Sequence, residues 1–122
     1  MTTVKARILI VDDEALTALA LAGVLEGGGF EVLGPYGNAE EAMSAVAEDL
    51  PDAALLDVNL GQGRTSLDLA AMLLGKEVPV TFLTGYSARS IRDERVAGAG
   101  FLIKPVLPEQ AIAEAHRMLS AA

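Results

Sequence analysis

Residues 7–14 read RILIVDDE, so a run of apolar residues leads directly into three consecutive carboxylates. A short continuous apolar run is typical of a strand that is covered on both faces, as in a parallel sheet. Neighbouring carboxylates raise one another's pKa unless a positive charge lies among them. This stretch therefore predicts a buried first strand with a cation bound at its carboxyl end.

Further apolar runs follow along the chain, and helical patterns separate them. The predicted strands are 8–11, 30–33, 53–56, 78–83 and 100–103, and the predicted helices are 15–26, 39–49, 67–74, 88–97 and 108–119. Strands that alternate with helices favour a parallel sheet with right-handed crossovers and helices on both faces. We therefore predict an α/β fold, a doubly wound (βα)5 domain with a five-stranded parallel sheet.

Local patterns give finer expectations for these elements. The buried stripe of the first helix would consist of Leu16, Leu19, Ala20 and Val24. Asn38 and Ser66 would cap the second and third helices, because both residue types readily accept a hydrogen bond from the first helical turn. Gly34-Pro35 would stop the second strand.

Composition limits the possible classes of protein. The chain has 122 residues, 52% of them hydrophobic, no cysteine and a net charge of −8. This length suits one compact domain, which we place at 1–122 with a core of 7–119 and no output domain. The absence of cysteine excludes disulfides and thiolate metal sites. The acidity disfavours nucleic-acid binding, and no apolar run reaches membrane-spanning length, so we expect a cytoplasmic protein.

Polar residues follow the predicted strands at the edge where open α/β sheets bind ligands. These residues are Asp12, Asp13 and Glu14 after the first strand, Asp57 and Asn59 after the third, Thr84 and Tyr86 after the fourth, and Lys104 and Pro105 after the fifth. All-oxygen ligation suits Mg²⁺, and a lysine opposite would bind another oxygen of a doubly charged oxyanion. A carboxylate beside such an anion can act as a nucleophile, and Asp57 is the best candidate, with an aspartyl phosphate as product.

Each of these residues has an ordinary explanation when taken alone. Asp13 would cap the following helix, Thr84 would be a turn residue before glycine, and Lys104-Pro105 would be an exposed loop pair. Asp57 is harder to explain in this way, because an acid after a buried apolar run needs a partner. The combination at several strand ends favours a functional site.

The sequence resembles the receiver domain of bacterial two-component response regulators over roughly residues 7–119. The matching segments, in order, are ILIVDDE, ALLDVNL, VTFLTGYS and FLIKP. The resemblance implies a flavodoxin-like sheet with strand order 2-1-3-4-5. The segment FLTGYS is also loosely similar to the Phe-Ala-Thr-Gly-x-Tyr motif of some single-domain receivers, with Leu83 and Ser87 as departures.

The resemblance also implies roles for single residues. Asp57 would be the phosphoacceptor, with Lys104 and Thr84 contacting the phosphoryl group. Mg²⁺ or Mn²⁺ would be bound by Asp57, by Asp13 directly, by Asp12 through water and by the backbone carbonyl of Asn59. Thr84 and Phe101 would form the conformational switch, and the Lys104–Pro105 peptide would be cis. The side chains of Asn59 and Tyr86 would adjust the rate of dephosphorylation.

The implied function is that of a phosphoacceptor in a two-component system or phosphorelay. A histidine kinase or a histidine phosphotransfer protein would supply the phosphoryl group. A downstream protein effector would bind the face made by the predicted fourth helix, fifth strand and fifth helix. We expect a monomer or weak dimer without nucleic-acid or membrane partners. The protein would catalyse only its own phosphorylation and slow autodephosphorylation.

Several alternatives remain open. The protein could be a phosphate sink that drains a kinase, or a receiver fragment of a larger regulator or hybrid kinase. An aspartate-based phosphatase would need a second acid at the position of Asn59. A flavin-binding electron carrier is disfavoured because the acids after the first strand would repel the flavin phosphate. His116, the only histidine, is interpreted as a surface residue of the last helix.

Overall fold

The computed structural model describes residues 4–85 and 91–120, which form a parallel sheet with helices on both faces. The strands are β1 (Arg7–Val11), β2 (Glu31–Tyr36), β3 (Ala53–Asp57), β4 (Val80–Thr84) and β5 (Gly100–Ile103). The α-helices are α1 (Ala15–Gly27), α2 (Ala39–Glu48), α3 (Leu67–Gly75) and α4 (Pro108–Ser120). The strand order is β2-β1-β3-β4-β5 with parallel pairing, which confirms the predicted fold class.

The core consists of two apolar layers, one on each face of the sheet. Side chains of one strand point alternately to opposite faces, so neighbouring residues of β1 enter different layers. One layer packs against α2 and α3 and includes Leu9, Leu56, Leu69 and Phe82. The other packs against α1 and α4 and includes Ile8, Leu25, Leu55 and Leu83. Because β1, β3 and β4 are buried on both faces, their sequences are continuous apolar runs.

The buried face of α1 differs from the predicted stripe. The buried residues of this helix are Ala18, Leu21, Ala22 and Leu25. Leu16 is 84% exposed and Leu19 is 59% exposed, so the prediction that they are buried is wrong. Apolar residues surround this helix on nearly all sides, and the hydrophobic pattern therefore does not mark one face as the interior.

The predicted fourth helix is wrong for the part of its range that the structure describes. Residues 91–97 contain only a short 3₁₀ helix, Glu94–Val96, and residues 88–90 lie outside the described chain. The side chain of Asp93 accepts a hydrogen bond from the backbone N–H of Arg95, which begins the 3₁₀ turn. In this segment Val96 is buried and Ile91 is half-buried, so few apolar groups would hold a longer helix against the sheet.

Two smaller predictions about element ends also need correction. β2 does not stop at Gly34-Pro35 but continues to Tyr36, and proline is tolerated there because β2 is an edge strand. Asn38 caps α2 as predicted, since its side chain accepts a hydrogen bond from Glu41 N at 2.8 Å. Ser66 precedes α3 but makes no side-chain capping bond, and its hydroxyl is used elsewhere.

Candidate functional site

The carboxyl ends of four neighbouring strands bring the predicted site residues together. Asp12 follows β1, Asp57 ends β3, Thr84 ends β4 and Lys104 follows β5. The backbone N–H of Lys104 donates to the carbonyl of Thr84 at 2.7 Å, which aligns the last two strand ends. A site that is spread over 92 positions of sequence is therefore compact, as the parallel topology predicts.

Three carboxylates form the acidic part of the site. Asp12, Asp13 and Asp57 each offer an oxygen, and these oxygens all lie within 4.8 Å of one another. Asp12 and Asp57 are buried, whereas Asp13 is exposed to solvent. Carboxylate oxygens with open solvent on one side fit Mg²⁺, which prefers oxygen ligands and keeps several waters. The donor set therefore fits the predicted cation and would hold it between β1 and β3.

Lys104 provides the positive charge that the cluster requires. Its Nζ lies 2.9 Å from Oδ2 of Asp12 and 3.1 Å from Oδ2 of Asp57, with Glu14 Oε1 at 3.7 Å. Burial lowers the pKa of Lys104, but hydrogen bonds to Asp12 and Asp57 outweigh that effect, so its pKa is raised. The ammonium therefore stays charged beside the two buried carboxylates at physiological pH.

The carboxyl group of Asp57 has an unusual ionisation. Burial raises its pKa from 3.8 to about 6, and the hydrogen bond and charge of Lys104 oppose this rise only in part. The negative charge of nearby Asp12 raises it further. A cation bound beside Asp57 would favour the ionised form and lower this pKa. Without such a cation, part of the Asp57 population is neutral near pH 6.

The loop between β3 and α3 approaches the acids closely. Gly61 adopts a φ of +84°, and a Cβ atom at this position would lie 3.3 Å from Oδ2 of Asp13. The side chain of Asn59 accepts a hydrogen bond from Gly61 N at 2.9 Å, so it is directed into its own loop. The backbone N–H of Asn59 donates to Oδ1 of Asp57 at 3.3 Å. The positive φ therefore favours glycine at 61, and a side chain at this position would crowd the carboxylate of Asp13.

Ser66 is predicted to cap α3, but the structure shows a different role for its hydroxyl. Its hydroxyl donates to the main-chain carbonyl of Asp57 at 2.7 Å, and its side chain is fully buried. A serine before a predicted helix has the same local signature whether it caps that helix or reaches back to a strand. No signal in the sequence distinguishes these two uses, because the partner lies nine positions away.

The two predicted switch residues lie on the neighbouring strands β4 and β5, two register positions apart. Thr84 is buried at the end of β4, and Phe101 lies on β5, paired in register with Phe82. The ring of Phe101 is 40% exposed, and its centroid lies 5.7 Å from that of Phe82. Phe101 is thus only partly packed into the apolar layer. The ring therefore packs on Phe82 on one side and is open to solvent on the other.

Two further predictions concern the chain around these strands. The Lys104–Pro105 peptide bond is cis, and so is Gly34–Pro35. Tyr86, which was predicted to affect dephosphorylation, lies outside the described residues.

None of the helices within residues 4–85 and 91–120 combines the length and the apolar character needed to cross a bilayer.

Comparison with known proteins agrees with the fold and with the arrangement of the site residues. A sequence model of the response regulator receiver domain matches residues 8–116. The chain belongs to the response regulator receiver family. This receiver domain is similar to the receiver domain of NtrX from Brucella abortus, with a TM-score of 0.81 and 27% identity. That alignment covers 94% of this chain and 99% of the NtrX receiver chain.

Two curated relatives share part of their length with this receiver domain. It is 35% identical over 105 residues to the transcriptional regulatory protein PdtaR of Mycobacterium tuberculosis, covering 84% of this chain and 51% of PdtaR. It is 38% identical over 103 residues to the phyllosphere-induced regulator PhyR of Methylorubrum extorquens, covering 83% of this chain and 39% of PhyR. The chain thus spans about half the length of PdtaR and less of PhyR. Membership of this family is consistent with a role in two-component signalling.

Proposed function

We propose that this receiver domain accepts a phosphoryl group on Asp57 and acts as a signalling switch. The observation that carries the proposal is the contact of Asp57 Oδ2 with Lys104 Nζ at 3.1 Å, inside a cluster of three carboxylates. Transfer to a carboxylate needs a positive charge beside the phosphoryl oxygens, where negative charge develops. Lys104 supplies that charge, and the acidic cluster supplies the ligands for a divalent cation.

The proposed transfer uses the chain's own residues in separate roles. One oxygen of Asp57 attacks phosphorus, the P–N bond of a phosphohistidine breaks, and its electron pair returns to the imidazole nitrogen. Lys104 then binds a phosphoryl oxygen in place of the Asp57 oxygen that it contacts in the unphosphorylated protein. Mg²⁺ bound by the acidic cluster would neutralise charge on the phosphoryl oxygens. Asp12 keeps Lys104 directed at the site through its own 2.9 Å contact.

The proposed switch depends on the neighbouring side chains of Thr84 and Phe101. The phosphoryl group adds roughly 1.5 to 2 negative charges at neutral pH, which attracts the Thr84 hydroxyl. Movement of Thr84 opens space behind β4, and Phe101 can turn inward because 40% of its surface is still in solvent. The surface around β5 would then change shape and alter the binding of an effector protein.

The proposed phosphodonor is a helical protein that carries phosphohistidine. A groove of about 420 Å³ runs from Lys104 between α1 and the start of α4, with Ala20, Val24 and Pro108 in its lining. Leu16 lies one turn before Ala20 on the exposed side of α1. An amphipathic helix fits an apolar groove of this kind, and such docking would bring its histidine towards Asp57.

Labelling with a small acyl phosphate tests the proposed phosphoacceptor directly. The wild-type protein should gain one phosphoryl group on Asp57 in the presence of Mg²⁺, and D57N should gain none, as measured by intact-mass spectrometry. D68N is the matched control, since Asp68 is an exposed aspartate in the first turn of α3. Labelling of D57N at the wild-type level, or labelling that is independent of the metal, would contradict the proposal.

A further inference from the structure

The peptide that follows Asp57 is held from both of its sides. In a trans peptide the N–H and C=O groups point in opposite directions. The N–H of Val58 donates to the carbonyl of Leu83 on β4 at 3.3 Å. The carbonyl of Asp57 accepts the hydroxyl of Ser66 at 2.7 Å on the other side. These two bonds together fix the plane of the peptide next to the phosphoacceptor.

Ser66 also holds the second peptide of this segment. Its backbone N–H donates to the carbonyl of Val58 at 3.0 Å, and Leu60 N donates to the carbonyl of Arg64 at 2.9 Å. These two bonds form the antiparallel bridge between Asn59 and Thr65. Neither of them uses the carbonyl of Asn59. That oxygen points away from the bridge, since the N–H of the same peptide is directed at Arg64.

Packing alone does not explain a polar residue at position 66. The side chain is completely buried, and alanine would fill nearly the same space without needing a hydrogen-bond partner. The bond to Asp57 is the only one that the described residues show for this hydroxyl. Thr65 is the other hydroxyl residue of this loop. It is exposed, and its hydroxyl accepts only a long hydrogen bond of 3.4 Å from the backbone N–H of Leu67. The loop therefore contains one hydroxyl directed at the site and one directed away from it.

We infer that Ser66 is a positioning residue, which orients the Asp57 carboxylate and the Asn59 carbonyl towards one divalent cation. This inference rests on the proposed function, because it assigns the two oxygens to the same metal. Two hydrogen bonds connect Ser66 to the carboxylate. The Ser66 hydroxyl holds the main-chain carbonyl of Asp57, and the backbone N–H of Asn59 donates to Oδ1 of Asp57 at 3.3 Å. Oδ2 stays with Lys104 at 3.1 Å. Loss of the hydroxyl would free one side of the peptide that follows Asp57 while leaving every proposed ligand in the chain.

Calorimetric titration with Mg²⁺ tests this inference without depending on phosphorylation. S66A should bind Mg²⁺ about tenfold more weakly than the wild type, which is the usual loss when a group that orients a metal ligand is removed. S66C, whose thiol is somewhat larger than the hydroxyl and is a poor hydrogen-bond donor, should show a similar loss, and it replaces S66A if that variant fails to fold. T65A is the matched control and should stay within about twofold of the wild type.

Acyl-phosphate labelling at several Mg²⁺ concentrations gives a second readout. In S66A the half-saturating Mg²⁺ concentration should rise about tenfold, while the labelling rate at saturating Mg²⁺ stays within about threefold. A general loss of structure would lower the rate at every concentration. A folded S66A or S66C that binds Mg²⁺ as tightly as the wild type would overturn the inference. The proposed function would stand in that case, provided that the wild-type protein is labelled on Asp57. Failure of the wild type to label would instead overturn the proposed function.

Discussion

Lys104 Nζ lies 3.1 Å from Oδ2 of Asp57, although the two residues are 47 positions apart in the sequence. The same ammonium contacts the buried carboxylate of Asp12 at 2.9 Å. One lysine therefore compensates two buried negative charges, which would otherwise be costly inside a protein. This relationship makes the site sensitive to any change in the charge or reach of Lys104.

Replacement of Lys104 by methionine should slow phosphorylation without preventing the fold. We expect the rate of acyl-phosphate labelling of K104M to fall about 100-fold, because the variant lacks the positive charge that stabilises the transferring phosphoryl group. K76M is the matched control, since Lys76 is exposed and lies between α3 and β4, at the end of the sheet opposite the carboxyl ends that form the site. The measurement is the initial rate at saturating Mg²⁺. A K104M rate within about threefold of wild type would contradict the assigned role.

The raised pKa of Asp57 should make the metal-free protein less stable at higher pH. Because the folded state holds a proton on this group up to about pH 6, against 3.8 for an ordinary aspartate, it binds more protons than the unfolded state in this window. Asp57 therefore contributes roughly 2 to 3 kcal/mol to the free energy of unfolding below about pH 4. This contribution is lost as the pH rises through about 6. Denaturant unfolding in EDTA at both ends of this range measures the loss.

D57N isolates that effect from the other carboxylates. Asparagine does not titrate, so the difference in unfolding free energy between D57N and wild type should grow in favour of D57N as pH rises from about 4 to about 7. D68N should follow the wild-type curve. Added Mg²⁺ should restore wild-type stability, since a bound cation favours the ionised carboxylate. Parallel pH curves for wild type and D57N would be inconsistent with the raised pKa.

A charge on the exposed side of α1 should separate protein phosphodonors from small ones. L16E should lower phosphotransfer from a histidine kinase or phosphotransfer protein at least about tenfold, because a buried charge at an interface is costly. Labelling by the small acyl phosphate should be unchanged. The fold should tolerate the substitution, because Leu16 is 84% exposed and glutamate is favourable in the first turn of a helix.

M43E is the control for L16E, since Met43 is an exposed apolar residue on α2, away from the groove. Its phosphotransfer should match the wild type. Equal losses in L16E and M43E would indicate a general effect of surface charge. Unchanged transfer to L16E would remove the α1 face from the proposed docking surface.

The sequence by itself determined the sheet and the convergence of the main site residues. Continuous apolar runs are what strands buried on both faces require, and the carboxyl ends of parallel strands meet at one edge. For this reason Asp12, Asp57, Thr84 and Lys104 were predictable as neighbours from their positions after the runs. The cap of α2 by Asn38 was predictable too, because cap and helix are adjacent in the chain.

Only the tertiary structure decided which surfaces and polar groups meet at a distance. The face of α1 that is buried depends on where α4 and the sheet lie, because apolar residues occur nearly all round that helix. The bond from Ser66 to Asp57 depends on how the intervening loop folds back, and residues 91–97 lack the apolar stripe that would have fixed a helix. Periodic patterns encode local geometry, whereas a hydroxyl or an ambiguous helix face acquires its partner only when the chain is packed.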